Sequence, residues 1–241
     1  EELGVLRSIG FVRCGVSASE VVAGLDAACA GAPNGALYID ASGFPVADPD
    51  PRVIANPNPR WTGSVRSAFR YKKLQVSGLL DIRHGGQIWN GTKGALWSYG
   101  THKDTESRDE IRTFGQGGFF DGPVVGPGAG SAVAIGESWY RTGDAPCPFT
   151  GVDEPCIENG GFVKLREISL TYTFDSPWVM RSLGVSSVDV RVSGRNLATW
   201  TKYTGYDPET SLGGAIAPVT GVDYFNNPQT RSFVFSFTFN R

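Results

Sequence analysis

The chain has 241 residues, 40% hydrophobic and 19% charged, a composition that excludes both a disordered tail and a coiled coil. Its 32 glycines, 15 prolines and 12% aromatic residues, without the Ala/Glu/Lys/Leu blend of helical proteins, point to many strands joined by long loops. A formal charge of −2 offers no broad attraction to phosphate backbones, which excludes nucleic acid as a partner. No run of about 18 apolar residues is present, so no helix crosses a membrane, and no basic-then-apolar signal segment opens the chain. Barrel strands are about 10 residues long with only alternate residues apolar, so a mean hydropathy of −0.16 is compatible with a membrane barrel. The chain begins at Glu1 and its only methionine is Met180, so it is either a processed or a truncated product, and truncation is the expectation.

Taken in chain order, the first feature is Cys14 with Cys29, a spacing of 15 residues, matched later by Cys147 with Cys156 at a spacing of 9. All four lie in segments that read as loops. Two loop staples in an oxidising compartment is the expectation, and four unrelated thiols the alternative. Neither spacing is a zinc pattern. Ser17 and Glu20 make a capping box ahead of a helix over 21–29. The 31–60 and 115–160 segments, rich in Gly, Pro and Asp, read as loops.

Period two governs the rest. Trp61, Val65, Phe69 and Tyr71 alternate with Thr62, Ser64, Arg66 and Arg70, and after Lys72-Lys73 the residues Leu74, Val76, Leu80 and Ile82 alternate with Gln75, Ser77, Asp81 and Arg83. Ile168, Leu170, Tyr172 and Phe174 alternate with Glu167, Ser169, Thr171 and Thr173. Ser176-Pro177 and Gly184 bracket a turn or two of helix. Val188, Val190 and Val192 alternate with Asp189, Arg191 and Ser193, the wet face continuing to Arg195. Phe233, Phe235, Phe237 and Phe239 alternate with Ser232, Val234, Ser236 and Thr238.

A soluble sandwich also alternates. Connection length distinguishes the two: two residues at 72–73, a long excursion over 84–161, a short link over 175–186 and a long one over 201–229. Short turns at one end and long loops at the other is the outer-membrane barrel arrangement, with the short turns and the C-terminus on the periplasmic side. The fold expected is all-β, the last five or six strands of an antiparallel transmembrane β-barrel with long extracellular loops. Phe233, Phe235, Phe237, Phe239, Val188, Val190 and Val192 then face lipid. Arg66, Arg70, Asp81, Arg83, Asp189, Arg191 and Arg195 face the lumen, because an arginine against lipid at mid-depth costs roughly 2 to 4 kcal/mol.

Constellations for chemistry are sparse. Only His84 and His102 are present, with no Gly-x-Ser-x-Gly elbow and no His-Glu-x-x-His pair, so no catalytic residues, cofactor or metal site are expected. The Gly126–Ser131 run lacks the lysine of a phosphate cradle and reads as a flexible loop. Asn90-Gly91-Thr92 fits a glycosylation sequon and reads more simply as a turn. Asp207, Glu209 and Asp223 share a long loop and are either calcium ligands or turn residues, the latter favoured by Asp207-Pro208. Trp89, Trp97, Tyr99, Phe119, Phe120, Trp139, Tyr140 and Tyr203 either pack the loops or stack on sugars or a partner, and Trp61, Trp200 and Tyr206 suit an interfacial girdle.

Three stretches carry a resemblance. The first is Asn56-Pro57-Asn58-Pro59-Arg60-Trp61 followed by Phe69-Arg70-Tyr71-Lys72 and 85–92, and the second is 161–172, reading GFVKLREISLTY. The third and most specific is 192–209, reading VSGRNLATWTKYTGYDPE, with Pro228-Gln229-Thr230-Arg231 leading into the phenylalanine strand. Together they resemble the late barrel of SusC/RagA-type TonB-dependent outer-membrane transporters over residues 56–241, and residues 1–55 do so loosely. That family tends to finish on an aromatic residue, whereas here Asn240 and Arg241 follow Phe239. The resemblance implies that residues 1–241 are the C-terminal part of a plugged barrel of about 22 strands in the outer membrane of a Gram-negative bacterium. The plug and earlier strands lie outside the chain. It further implies uptake of glycans or oligopeptides, driven by the TonB complex through the missing N-terminal part and assisted by a SusD-type surface lipoprotein. The alternatives are a soluble or surface-attached carbohydrate-binding β-sandwich and a nonfunctional remnant of a transporter gene.

Overall fold

In the computed structural model the described residues are 4–117, 120–141, 147, 151–213 and 220–241, so Phe119 lies outside them. The chain divides into two compact units. One comprises Glu1–Pro57, Gln87–Glu158 and Ser211–Phe225, and the other Asn58–Gly86, Asn159–Thr210 and Asn226–Arg241.

The second unit holds one five-stranded antiparallel sheet built from β1 (Trp61–Tyr71), β2 (Leu74–His84), β3 (Phe162–Phe174), β4 (Ser187–Thr201) and β5 (Ser232–Asn240). Each strand pairs with its neighbour along the chain, so the sheet is a meander with β1 and β5 at its edges. Lys72 adopts a positive φ of 52° in the tight β1–β2 turn. The β3–β4 link carries the helix Pro177–Leu183, which starts on its proline as the Ser-Pro pair predicts, since the first helical N–H has no partner to lose. The short turns and the end of β5 share one end of the sheet, where the Ser186 amide donates to the Asn240 carbonyl at 2.7 Å. The two long connections leave from the other end.

Opposed residues in an antiparallel pair share a face, so register sorts the side chains. Phe69, Val76, Leu170, Val192 and Phe235 lie in one cross-strand row, and Tyr71, Leu74, Tyr172, Val190 and Phe237 in the next. Large apolar side chains on this face are open: Phe69 is 67% exposed, Leu170 45% and Phe235 67%. Val188 shares the face but is buried, between Phe174 and Phe239 on the flanking strands, so it is less open than the alternation alone implies.

The first unit corrects the reading of the long connections as plain loops. Phe11, Leu37, Ile39, Phe114, Val133, Ile135, Trp139 and Val152 form a buried core of their own. Short strand pairs frame it, including Glu110–Thr113 against Ala132–Ile135 and a parallel pair of Leu37–Tyr38 with Val124–Val125. The Gly126–Ser131 run is a packed turn, since a Cβ on Gly128 would lie 1.9 Å from the Asp40 carbonyl oxygen. The capping-box helix shrinks to Leu25–Ala28 because Gly24 ahead of it is left-handed, and Ser17 instead accepts from the Arg13 amide. Asn90-Gly91-Thr92 is not a turn but the start of a helix, Gly91–Ser98, in which the Asn90 side chain caps the Lys93 amide at 2.9 Å.

Disulfides join Cys14 to Cys29 and Cys147 to Cys156, with Cα separations of 5.5 and 5.8 Å. Cys156 and Cys147 pack against Trp97, and a Cβ on Gly94 would fall 2.1 Å from the Cys147 carbonyl oxygen, so glycine is required there. Peptide mapping of exported protein without reduction is expected to recover these two linkages. Four alkylatable thiols in that material would contradict them.

Candidate functional site

The wet face of the sheet carries every residue assigned to a lumen. Register puts Arg66, Arg70, Asp81, Arg83, Asp189, Arg191 and Arg195 together on the face opposite the phenylalanines. Acids and bases on adjacent strands meet there. Glu167 on β3 pairs with Arg191 at 2.8 Å and Arg195 at 3.5 Å on β4. Thr173 and Asn240 both donate to Asp189, at 2.5 and 3.0 Å, and Ser77 and Ser169 share a hydrogen bond of 2.7 Å. Polar contacts thus link each neighbouring pair of strands from β2 to β5.

Towards the long connections, parity in β3 fails in an informative way. Counting back in twos from Leu170 and Ile168 puts Arg166 and Lys164 on the apolar face. The structure avoids this with a β-bulge: Glu167 opposes Leu79 and Leu165 opposes Leu80, leaving Arg166 as the extra residue against β2. The slip returns Leu165 to the apolar row and puts Lys164 opposite Asp81 on the wet face. Arg166 reaches the same side, its Nε and Nη2 donating to Asp81 Oδ2 at 3.0 and 2.8 Å.

Onto these two cations folds the Tyr206-Asp207-Pro208-Glu209 turn. Lys164 Nζ lies 2.6 Å from Asp207 Oδ1 and 2.7 Å from Glu209 Oε2, and both Lys164 and Asp207 are buried. Arg166 Nη1 donates to Glu209 Oε2 at 2.6 Å and Nη2 to Oε1, a two-pronged pairing. Asp207 also accepts the amides of Glu209 at 3.0 Å and Gln229 at 3.2 Å. Burial pushes the Glu209 carboxyl upward, but hydrogen bonds from Arg166 and Lys164 outweigh it and hold the group below its ordinary range. Breaking one side of a buried pair costs about 3–5 kcal/mol because a charge is left unmatched. Asp207 and Glu209 are therefore occupied by protein cations, and Asp223, in the other unit, accepts from Thr92 Oγ1 at 3.3 Å. Among the described residues no acidic or histidine cluster has the form of a metal site.

No family model matches the chain. TonB-dependent receptor P3 of Formosa agariphila is 25% identical over 213 residues, which are 83% of this chain and 18% of that protein. Over those residues the chain is similar to a TonB-dependent receptor. It spans less than a fifth of that relative's length. Among solved structures, the RagAB peptide importer in its open-open state aligns with a TM-score of 0.49 at 17% identity, over 78% of this chain and 18% of that one. Its closed-closed state aligns with a TM-score of 0.48 at 18% identity, over 83% and 20%.

Of the girdle candidates, Trp61 and Trp200 lie on the apolar face at the long-loop end and are 51% and 56% exposed, while Tyr206 is 80% exposed in the connection beyond β4. Most of the loop aromatics pack inward: Trp97, Trp139 and Tyr203 are buried, and Trp139 stacks on Phe11 and Phe44. Tyr99, at 69% exposure, is the exception among those described. Alternation missed a second ion network in the first unit, where Glu154 accepts from Arg13 Nε at 2.9 Å and the Phe11 amide at 3.1 Å and pairs with Arg52 at 3.1 Å. Its members are 141 and 102 residues apart in sequence, and no local pattern marks such a pairing.

Proposed function

We propose that this chain is the C-terminal wall of a TonB-dependent outer-membrane transporter, with the five-stranded sheet closing the barrel. The observation that carries this reading is the open apolar face. A soluble sandwich covers such a face with a second sheet, whereas here the sheet's own unit holds no other and Phe233, Phe235, Phe237 and Phe239 are each more than half exposed. A patch of this kind needs a partner, and lipid fits its dimensions. From Trp61 to Tyr71 the strand advances ten residues, about 33 Å at roughly 3.3 Å each. Tilted by about 40°, it spans a depth of about 25 Å, the height of an outer-membrane apolar band with aromatic residues at both margins. The wet face then lines the passage, and its paired charges explain how so many ionised residues sit at membrane depth.

In this reading residues 1–241 supply only the last strands, and the plug and earlier barrel come from the preceding part of the receptor. The cargo is a glycan or an oligopeptide, delivered with a SusD-type surface lipoprotein and powered through TonB. The protein moves a solute and makes or breaks no bond. Support for the cargo and partner rests on the residues 161–172 and 192–209 that resemble the SusC/RagA type.

Fluorophores or spin labels at 233, 235, 237 and 239 of the full receptor, reconstituted in lipid, test the placement. Apolar surroundings are expected there and water at 232 and 236. Equal water access at both sets would sink the membrane reading.

A further inference from the structure

The connection from β4 to β5 leaves at Thr201 and returns at Ser232, and both of its feet, 202–210 and 226–231, belong to the sheet unit. Four observations meet at those feet. The bulge at Arg166 turns two cations onto the wet face. Asp207 and Glu209 take both. Asp207 Oδ2 accepts the Gln229 amide at 3.2 Å, and Gln229 Nε2 donates to Glu209 Oε2 at 3.0 Å, so the outgoing foot is tied to the returning one. Pro208, between the two acids, is fully buried, so the turn is seated rather than laid on the surface.

We propose that Asp207 and Glu209 are positioning residues of an electrostatic latch, which fastens both feet of the 202–231 connection to the wet face and for which the β3 bulge supplies Lys164 and Arg166. The bulge removes Arg166 from the β2 ladder, and what it gains is a guanidinium that holds Asp81 on the sheet and Glu209 on the connection at once. Asp81 is itself fixed by Ser64 Oγ on β1 at 2.9 Å, so the keeper is anchored to two strands beyond its own. If the wet face lines a passage, the latch sets where the two feet of this connection stand along it. That consequence rests on the transport reading, while the latch itself stands on the sheet's geometry.

Hydrogen exchange of the full receptor in detergent at neutral pH tests it, read in peptides covering 205–210, 226–231 and, as control, 187–195. In the wild type the Glu209 and Gln229 amides are expected to exchange slowly. Glu209→Gln and Asp207→Asn are each expected to speed the first two peptides about tenfold, in keeping with local opening, and to leave the control unchanged. Asparagine still accepts the Glu209 amide, so a turn held only by that bond would not respond to Asp207→Asn. Arg166→Lys is expected to keep part of the protection that Arg166→Met loses. Unprotected amides in the wild type would overturn the latch. So would variants that exchange like the wild type, or loss of protection that spreads equally to 187–195. Insertion in lipid is measured separately, so a failed membrane reading does not decide this one.

Discussion

Residues 1–241 expressed alone are expected not to form a stable, heat-resistant monomer in detergent or lipid. Five strands are too few for closure, since single-chain barrels begin at about eight. The sheet therefore keeps two open edges, one along β1 and one along β5. In water each unpaired N–H and C=O finds a solvent partner, but in hydrocarbon each costs several kcal/mol. Summed over an 11-residue edge and a 9-residue edge, that penalty exceeds the net stability of about 5–15 kcal/mol typical of a whole domain. In water the difficulty moves to the other face, where the exposed phenylalanines drive aggregation. Adding the upstream strands of the receptor is expected to give a species that stays compact on cold detergent gels and unfolds only on heating. A water-soluble monomer of residues 1–241 with a cooperative melt would refute the barrel and revive the sandwich.

Much of the sheet was legible in the sequence because period two is a local property. Each of the five strands shows four or more alternating positions, and a face is decided as soon as alternation is seen. The link lengths were legible too, since Lys72-Lys73 leaves room only for a tight turn. The bulge at Arg166 was missed, yet it had a readable mark: in Phe162-Val163-Lys164-Leu165-Arg166 the charges fall at the parity of Ile168 and Leu170, a conflict that only a slip of register resolves. The helix Gly91–Ser98 was missed because its capping asparagine precedes two glycines within four residues, weak helix formers whose place is set by packing against Cys147 and Trp89. The core around Phe11 and Trp139 had no local mark at all. It gathers residues from 11 to 152, and neither Gly/Pro content nor periodicity tells a packed connection from a loose one.

The sharpest test of the two faces is the cost of one arginine. Ile168 and Phe233 lie in one row of the apolar face, near the middle between the Trp61 and Tyr71 ends, and both are open. In the full receptor, Ile168→Arg and Phe233→Arg are each expected to lower unfolding stability by about 2–4 kcal/mol, the penalty of a guanidinium at mid-bilayer. Thr238→Arg, five residues along β5 from Phe233, points to the other face and stands opposite Asp189 on β4. It meets water and an opposite charge, so a change within about 1 kcal/mol is expected. Reversible urea unfolding in lipid vesicles, followed by tryptophan fluorescence, reads all three. A sheet with water on both sides would tolerate the three arginines alike. A sheet buried on both sides would reject them alike, and only one face in lipid with the other in water separates positions five residues apart on one strand by this much.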